Sequence, residues 1–435
     1  MKRRKFLKAT GAGIAATGLA GILAAHRAPV FAQANTVHIL RWNDFVPAAD
    51  KVLREVYVPE VQKALGITLN VETVNANDIA ARATAAIQSG SGPDIIMLLN
   101  NNPQLYAAGA VDVSDIAGEV GKAQGGIYGL PTAMCTVGKQ WVAMPWATVP
   151  ALIAYRKSWF DEIGVKEFPK TWAQYHEAGK KLKASKHPIG QTLGHTFGDA
   201  PTFAYPLMWS FGGQEVDAKG KVVIDSKETV ESVRFMTQFW NDAHDEGGLA
   251  WDDTNNNRAF LSGDICATLN GASIYVAALN GADKFKTEKG APLHTDILHA
   301  QMPVGPKGTY PYHTAFTHMV MKYSKNAKGA KEFLRWAHTP ANYEKWVVVQ
   351  KGFAIAPTRQ WENHPMWNAD PVMLPFKTAS QQGRHMGFGG TPDKKAAEAW
   401  NKYIIVDMYA QAANGKMKPE ESVKWAADEL RKIYT

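Results

Sequence analysis

The sequence predicts an α/β protein of two domains, and two observations carry that reading. Short apolar runs alternate with helix-length amphipathic stretches, which implies mainly parallel sheets covered on both faces by helices. About 400 residues follow an N-terminal targeting stretch, more than one core usually organises. Disulfides do not supply the framework, because the 435 residues contain only two cysteines, Cys135 and Cys266. A single bridge between them and two separate buried thiols are both compatible with the sequence.

The chain opens with a basic cluster, Lys2 to Lys5 and Lys8, ahead of a mild Gly/Ala-rich stretch from Ala9 to Ala25, and Ala32-Gln33-Ala34 follows. This is the layout of a cleavable export signal, with cleavage expected near Ala34, and the stretch is too short and too mild for a spanning helix. The run Arg3-Arg4-Lys5-Phe6-Leu7-Lys8, with Arg27 further on, matches a twin-arginine route. The net charge of +8 belongs largely to this segment: residues 1–34 hold six basic and no acidic residues, leaving +2 for the rest. No long basic run remains to suit nucleic acid or a membrane surface.

Thr36 to Trp42 reads as a strand, a helical pattern runs on to about Leu65, and Ile67 to Val71 is the next strand. The unit repeats, with an Ala-rich helix from Asp78 to Ser89, a Gly90-Ser-Gly-Pro93 turn and a buried strand from Asp94 to Leu99 that ends in Asn100-Asn101-Asn102. Trp141 to Trp146 and Ala151 to Tyr155 are apolar segments broken by prolines. Ser158-x-x-Asp161 and Thr171-x-x-Gln174 both have capping-box spacing and predict helix starts. Val230, Val233, Met236 and Trp240, and later Ala330, Phe333, Leu334 and Ala337, fall at helical steps and predict core faces. Between them lie strand-like Ile265 to Leu269 and Thr295 to Leu298, and residues 394–434 are helical.

Motifs of catalysis are missing: there is no phosphate-binding Gly-x-x-x-x-Gly-Lys-Ser/Thr loop, no His-Glu-x-x-His and no Gly-x-Ser-x-Gly. Asp253-Thr-Asn255-Asn-Asn257 imitates a calcium loop, but Arg258 takes the glycine position and the closing Glu is absent. His313 and His318 are five apart on strand-like sequence and face opposite ways. No metal and no cofactor is expected.

In order along the chain, Trp42-Asn-Asp44, Gly92-Pro-Asp94-Ile-Ile, Gly126-Ile-Tyr-Gly-Leu-Pro131 and Tyr155-Arg-Lys-Ser-Trp-Phe160 are followed by Phe168-Pro-Lys-Thr-Trp172, Ser210-Phe-Gly-Gly213, Ala259 to Gly263 with Asn270-Gly271, and Ser324-Lys-Asn-Ala327. This series resembles the extracellular solute-binding proteins of bacterial ABC importers, in the sugar-binding group that includes maltose-binding protein. The resemblance implies a two-lobed periplasmic-binding-protein fold, with residues 35–147 and 300–358 in one lobe and 148–299 and 359–435 in the other. It also implies a ligand cleft between the lobes, no enzymatic activity, a monomer in the periplasm, and ABC permease subunits as partners. The expected ligand is a small polar solute, a sugar or polyol first and a small acid otherwise. The rival class is a secreted carbohydrate-active enzyme, which needs paired carboxylates; a chemosensory role would use the same fold.

Ligands of open α/β sheets sit beyond the carboxyl ends of strands. Trp42, Asn43 and Asp44 follow the first strand and offer an indole face, a carboxamide and a carboxylate to a sugar. Asn100 and Asn101 follow another strand, although turns also favour Asn. By position in the resemblance, Trp146, His195, Asp199, Asn270 and Ser273 are further candidates, with Ala272-Ser273 and Tyr275 standing where relatives place a stacking Trp. His313 and Phe316 replace an expected Gly-Gly-Trp, and Arg384 with Phe388 forms a late loop that would suit a carboxylate ligand.

Overall fold

A computed structural model describes residues 35–435; the export signal expected over 1–34 lies outside them. The opening is a β-α-β-α-β run. Strands β1 (Thr36–Trp42), β2 (Thr68–Val74) and β3 (Ile95–Leu99) are joined by crossovers containing helices α1 (Val58–Leu65) and α2 (Ile79–Ser89). Both helices stop at a glycine in the left-handed region, Gly66 at φ 65° and Gly90 at φ 63°, where a side chain would be strained. The crossovers make β1 parallel to both neighbours, with Ile39 opposite Val71 on one side and Ile95 on the other.

Strand β4 (Met144–Pro150) belongs to this first sheet and, after the single residue Ala151, continues as β5 (Leu152–Arg156) in a second sheet. Helices α3 (Trp172–Ala184), α4 (Asp199–Phe211), α5 (Lys227–Ala243) and α6 (Asn255–Ser262) follow, then β6 (Ala267–Asn270), α7 (Ser273–Asn280) and β7 (Ile297–Ala300). The chain then returns to the first sheet as β8 (His313–Val320), packs α8 (Ala327–Ala337) on it, and closes with α9 (Ile404–Ala413) and α10 (Pro419–Ile433). The orders of the two larger sheets are β2-β1-β3-β8-β4 and β6-β5-β7, and Thr136–Val137 with Gln140–Trp141 forms a small hairpin beside them.

The α/β expectation holds, and the expected mainly parallel pairing is corrected. Strand β8 runs antiparallel to β3 and β4, and the second sheet is antiparallel throughout. Parallel pairing follows from consecutive β-α-β crossovers. Strands β6 and β7, joined through α7, run parallel to each other but are not neighbours, because β5 lies between them and pairs antiparallel with both.

Two hydrophobic cores form. One gathers β1 to β4, β8 and α8, and takes in Trp361, Trp367, Met373 and Phe376. The other gathers α3, α4, α5, α9 and α10 around β5 and β6. Cys135 and Cys266 are both free and buried, so the two-thiol alternative is the one observed. Thr171 and Gln174 form the capping box predicted for α3. The box predicted at Ser158 does not form: its helix starts at Lys157, and the Ser158 amide and hydroxyl donate instead to Asp296 at 2.7 Å each. That carboxylate also accepts from Arg156 Nε at 2.7 Å, which gives a buried guanidinium an ionic partner. Among the described residues no helix is long and apolar enough to cross a membrane.

Candidate ligand cleft

Two adjoining chambers lie between the carboxyl end of β1 and the ends of β6 and the Thr196–Asp199 loop. The inner one, about 30 Å³, is bounded by Trp42, Phe45, Val149 and Phe353 on one side and by Phe197, Asp199, Asp253, Asn270 and Ser273 on the other. The outer one, about 290 Å³, shares Phe45, Phe197 and Asp253 and adds Asn43, Asp44, Asn75, Asn77 and Asp252. The Phe197 amide donates across the mouth to Asn77 Oδ1 at 3.1 Å, so the two sides touch.

The first side is aromatic. Trp42, the last residue of β1, stands edge-on to Phe316 at 4.4 Å, tilted to Phe45 at 5.3 Å and stacked on Phe353 at 6.3 Å, and Phe197 meets it from the opposite side at 5.6 Å. Its indole Nε1 is buried without a partner among the described residues. Gly271 packs so closely here that a Cβ would lie 2.6 Å from Val149 and 3.1 Å from the Phe353 ring.

The second side is polar. Asp199, at the start of α4, accepts from Asn256 Nδ2 at 2.6 Å and from Asn270 Nδ2 at 3.2 Å. Asn270 also donates to Asn257 Oδ1 at 2.7 Å and accepts from the Ser273 hydroxyl at 2.8 Å, while Asn257 Nδ2 donates to Ser273 Oγ at 3.0 Å. Asp253 accepts from the amides of Gly198 at 3.1 Å and Asp199 at 2.7 Å, which seats a carboxylate on the N-terminus of α4. Removal from water raises the pKa of both acids, and for Asp199 the neighbouring Asp253 adds to it.

Of the residues singled out from sequence, Trp42, Asp199, Asn270 and Ser273 line the inner chamber, and Asn43 and Asp44 the outer. Asp44 is committed to the fold: its oxygens accept from the Val46 amide at 2.9 Å and Gln350 Nε2 at 3.0 Å, and burial raises its pKa to about 6. Phe316 sits behind Trp42 as its support. His195 is at the rim, stacked on Tyr403 at 4.5 Å with Nε2 2.7 Å from Asp407.

The others line neither chamber. Trp146 is buried against His338, Tyr343 and Trp346, with the Arg41 guanidinium 5.7 Å from its ring. Asn100 adopts φ 55° and accepts from Tyr312 Oη at 2.6 Å, a turn role, and Asn101 donates to the Asp393 carbonyl at 3.1 Å. His313 faces a separate cavity of about 570 Å³ behind the β4–β5 junction. Arg384 lies over the rings of Tyr310 and Phe388, with its guanidinium 3.1 and 3.7 Å from their centroids.

Sequence reading missed Phe45, Phe197, Phe353, Asp253, Asn256 and Asn257. The last three fall in the run dismissed as a failed calcium loop. Its density of carboxylate and carboxamide groups was the available signal, and α6 turns that run toward Asp199. Among the described residues no cluster of three His, Cys, Asp or Glu side chains could hold a metal.

The chain belongs to the bacterial extracellular solute-binding protein family, whose sequence profile matches residues 28–344. It is 25% identical over 227 residues to a probable ABC transporter-binding protein of Deinococcus radiodurans, covering 50% of this chain and 52% of the other, so it spans about half the length of that relative. It is 23% identical over 367 residues to an erythritol/L-threitol-binding protein of Mycolicibacterium smegmatis, covering 76% and 71%. The fold is that of maltose-bound MalE3 from T. maritima, with a TM-score of 0.77 at 19% identity over 92% of this chain and 99% of the other.

Proposed function

We propose that this protein is the exported binding component of an ABC importer, and that it captures a sugar or polyol in the cleft and delivers it to permease subunits. The observation that carries this reading is the pairing of an aromatic wall at Trp42 with a hydrogen-bonded floor of Asp199, Asn270 and Ser273. Ring faces suit the C–H surface of a carbohydrate, and the carboxylate and carboxamides suit its hydroxyls. The two chambers together lie at the small end of ligand sites, which favours a solute of one ring or one short polyol chain over a long oligosaccharide. The erythritol and L-threitol in the name of the mycobacterial relative and the maltose bound by the T. maritima protein support this class. The mature protein works as a periplasmic monomer, cleaved near Ala34 after export by the twin-arginine route, and performs no catalysis.

A thermal-shift screen against sugars, polyols and sugar acids, with product analysis of each hit, tests the proposal. A ligand at 100 times its Kd adds about 2.7 kcal/mol and raises the melting temperature by a few degrees. Recovery of the ligand unchanged supports a receptor. Recovery of a hydrolysed ligand would overturn it in favour of a carbohydrate-active enzyme using the Asp199 and Asp253 carboxyls.

A further inference from the structure

We infer that the solute carries a protonated amine beside its hydroxyl groups, so that the cleft selects an amino sugar or amino alcohol over the neutral polyol of the same shape. This rests on the receptor reading and narrows its ligand class.

The argument begins with charge. Asp44, Asp199, Asp252 and Asp253 face the two chambers, and no Lys, Arg or His lines either of them. Arg41 offsets Asp44 and Arg258 offsets Asp252. The partners of Asp199 and Asp253 are instead neutral, amides for both and the Thr196 hydroxyl for Asp253. Hydrogen bonds from neutral donors screen such charges only in part, and two carboxylates held in one water-poor space repel. The Asp199 Oδ1 atom accepts no hydrogen bond among the described residues, whereas Oδ2 takes both Asn256 and Asn270. A ligand ammonium meets that free oxygen with donors alone and balances the single negative charge left when burial keeps a proton on one acid of the pair, which a hydroxyl cannot do.

Two independent features act in the same direction. The side chains of Trp42, Phe197 and Phe353 line the same inner chamber, and an aromatic face presented there attracts a desolvated cation. The Trp42 Nε1 donor, on a side chain only 2% exposed, has no partner among the described residues. A buried donor left unpaired is costly, so a ligand oxygen that reached it would be favoured. A cation and an oxygen on one small frame satisfy both needs, and an anion satisfies neither acid.

Isothermal titration calorimetry of the whole mature protein at pH 7.5 decides the matter with matched probes: N-methylglucamine against sorbitol, glucosamine against glucose, and gluconate as the anion. The amine of at least one pair is expected to bind tenfold or more tighter than its neutral partner, with no heat from gluconate. Asp199→Asn, nearly isosteric, is expected to equalise the pair without lowering the ligand-free melting temperature. Should that variant misfold, Asp253→Asn supplies the same comparison. Neutral probes binding as well as the amines would overturn the inference and leave the polyol receptor standing. Silence from every amine and neutral probe would overturn both.

Discussion

The indole of Trp42 combines a ring that is held in place with a polar atom that is not. Phe316 and Phe353 fix the plane of the ring, while Nε1 stays unpaired. Trp42→Phe keeps an aromatic surface and deletes the donor, so it separates stacking from hydrogen bonding. A net contribution of about 1 kcal/mol for one hydrogen bond predicts a five- to tenfold rise in Kd by calorimetry. An unchanged Kd would mean that the ligand meets only the face of the ring. Placement beside the cleft was legible in the sequence where a strand end supplied it, as at Trp42 and Asn43. It was not legible where one residue type serves two purposes. Asn100 follows β3 and Asn270 ends β6, yet Asn100 takes a left-handed turn conformation and bonds Tyr312, whereas Asn270 bonds Asp199. Nothing local distinguishes them, because the difference lies in partners 71 to 212 positions away.

At the scale of elements, local signals worked where the interaction is local. Thr171 and Gln174 satisfy each other's backbone amides at the start of α3, at 3.3 and 3.2 Å, within a span of four residues. Thr171→Ala is expected to cost about 1 kcal/mol in urea unfolding and to leave ligand affinity unchanged, since α3 lines neither chamber. Loss of affinity would show that α3 positions the cleft after all. Strands β1 to β3 were equally readable, because each crossover lies between its own strands. Strand β4 was obscured by Pro145 and Pro150, which argue against a central strand; both are accommodated because β4 is the edge of its sheet. The strands of the second sheet were visible as apolar runs, but their antiparallel pairing left no mark in the sequence, since β5 pairs with strands more than 100 residues further on.

The whole molecule adds two couplings that no element holds alone. Burial lowers the pKa of His244 and His299 to about 3 and of His313 and His338 to about 4. The unfolded chain then takes up protons below about pH 6.5 that the folded chain refuses, so these groups withdraw stability as pH falls from 6.5 toward 4, by up to about 1.4 kcal/mol per pH unit for each. Glu215 opposes them: burial raises its pKa to about 7, so its folded form holds a proton that the unfolded form releases, and its penalty grows as pH rises through the same window. His244→Gln is therefore expected to flatten the acid limb of the stability curve in urea titrations between pH 6.5 and 4, whatever its effect at pH 8. The second coupling is closure. Asn77 precedes α2 and Phe197 precedes α4 with its ring packed on the first core, and their 3.1 Å hydrogen bond spans the mouth of the cleft at an exposed position where water competes. It forms only when the two sides meet, so it biases the closed state without touching the inner chamber. A ligand whose competent state loses that bias binds more weakly by the fraction lost. Asn77→Ala should thus raise Kd about fivefold through a faster dissociation rate, while X-ray scattering of the saturated complex matches wild type. If instead the saturated complex scatters as a more open particle, Asn77 is a latch that holds the bound state shut, and the contacts across the inner chamber are too weak to close the molecule by themselves.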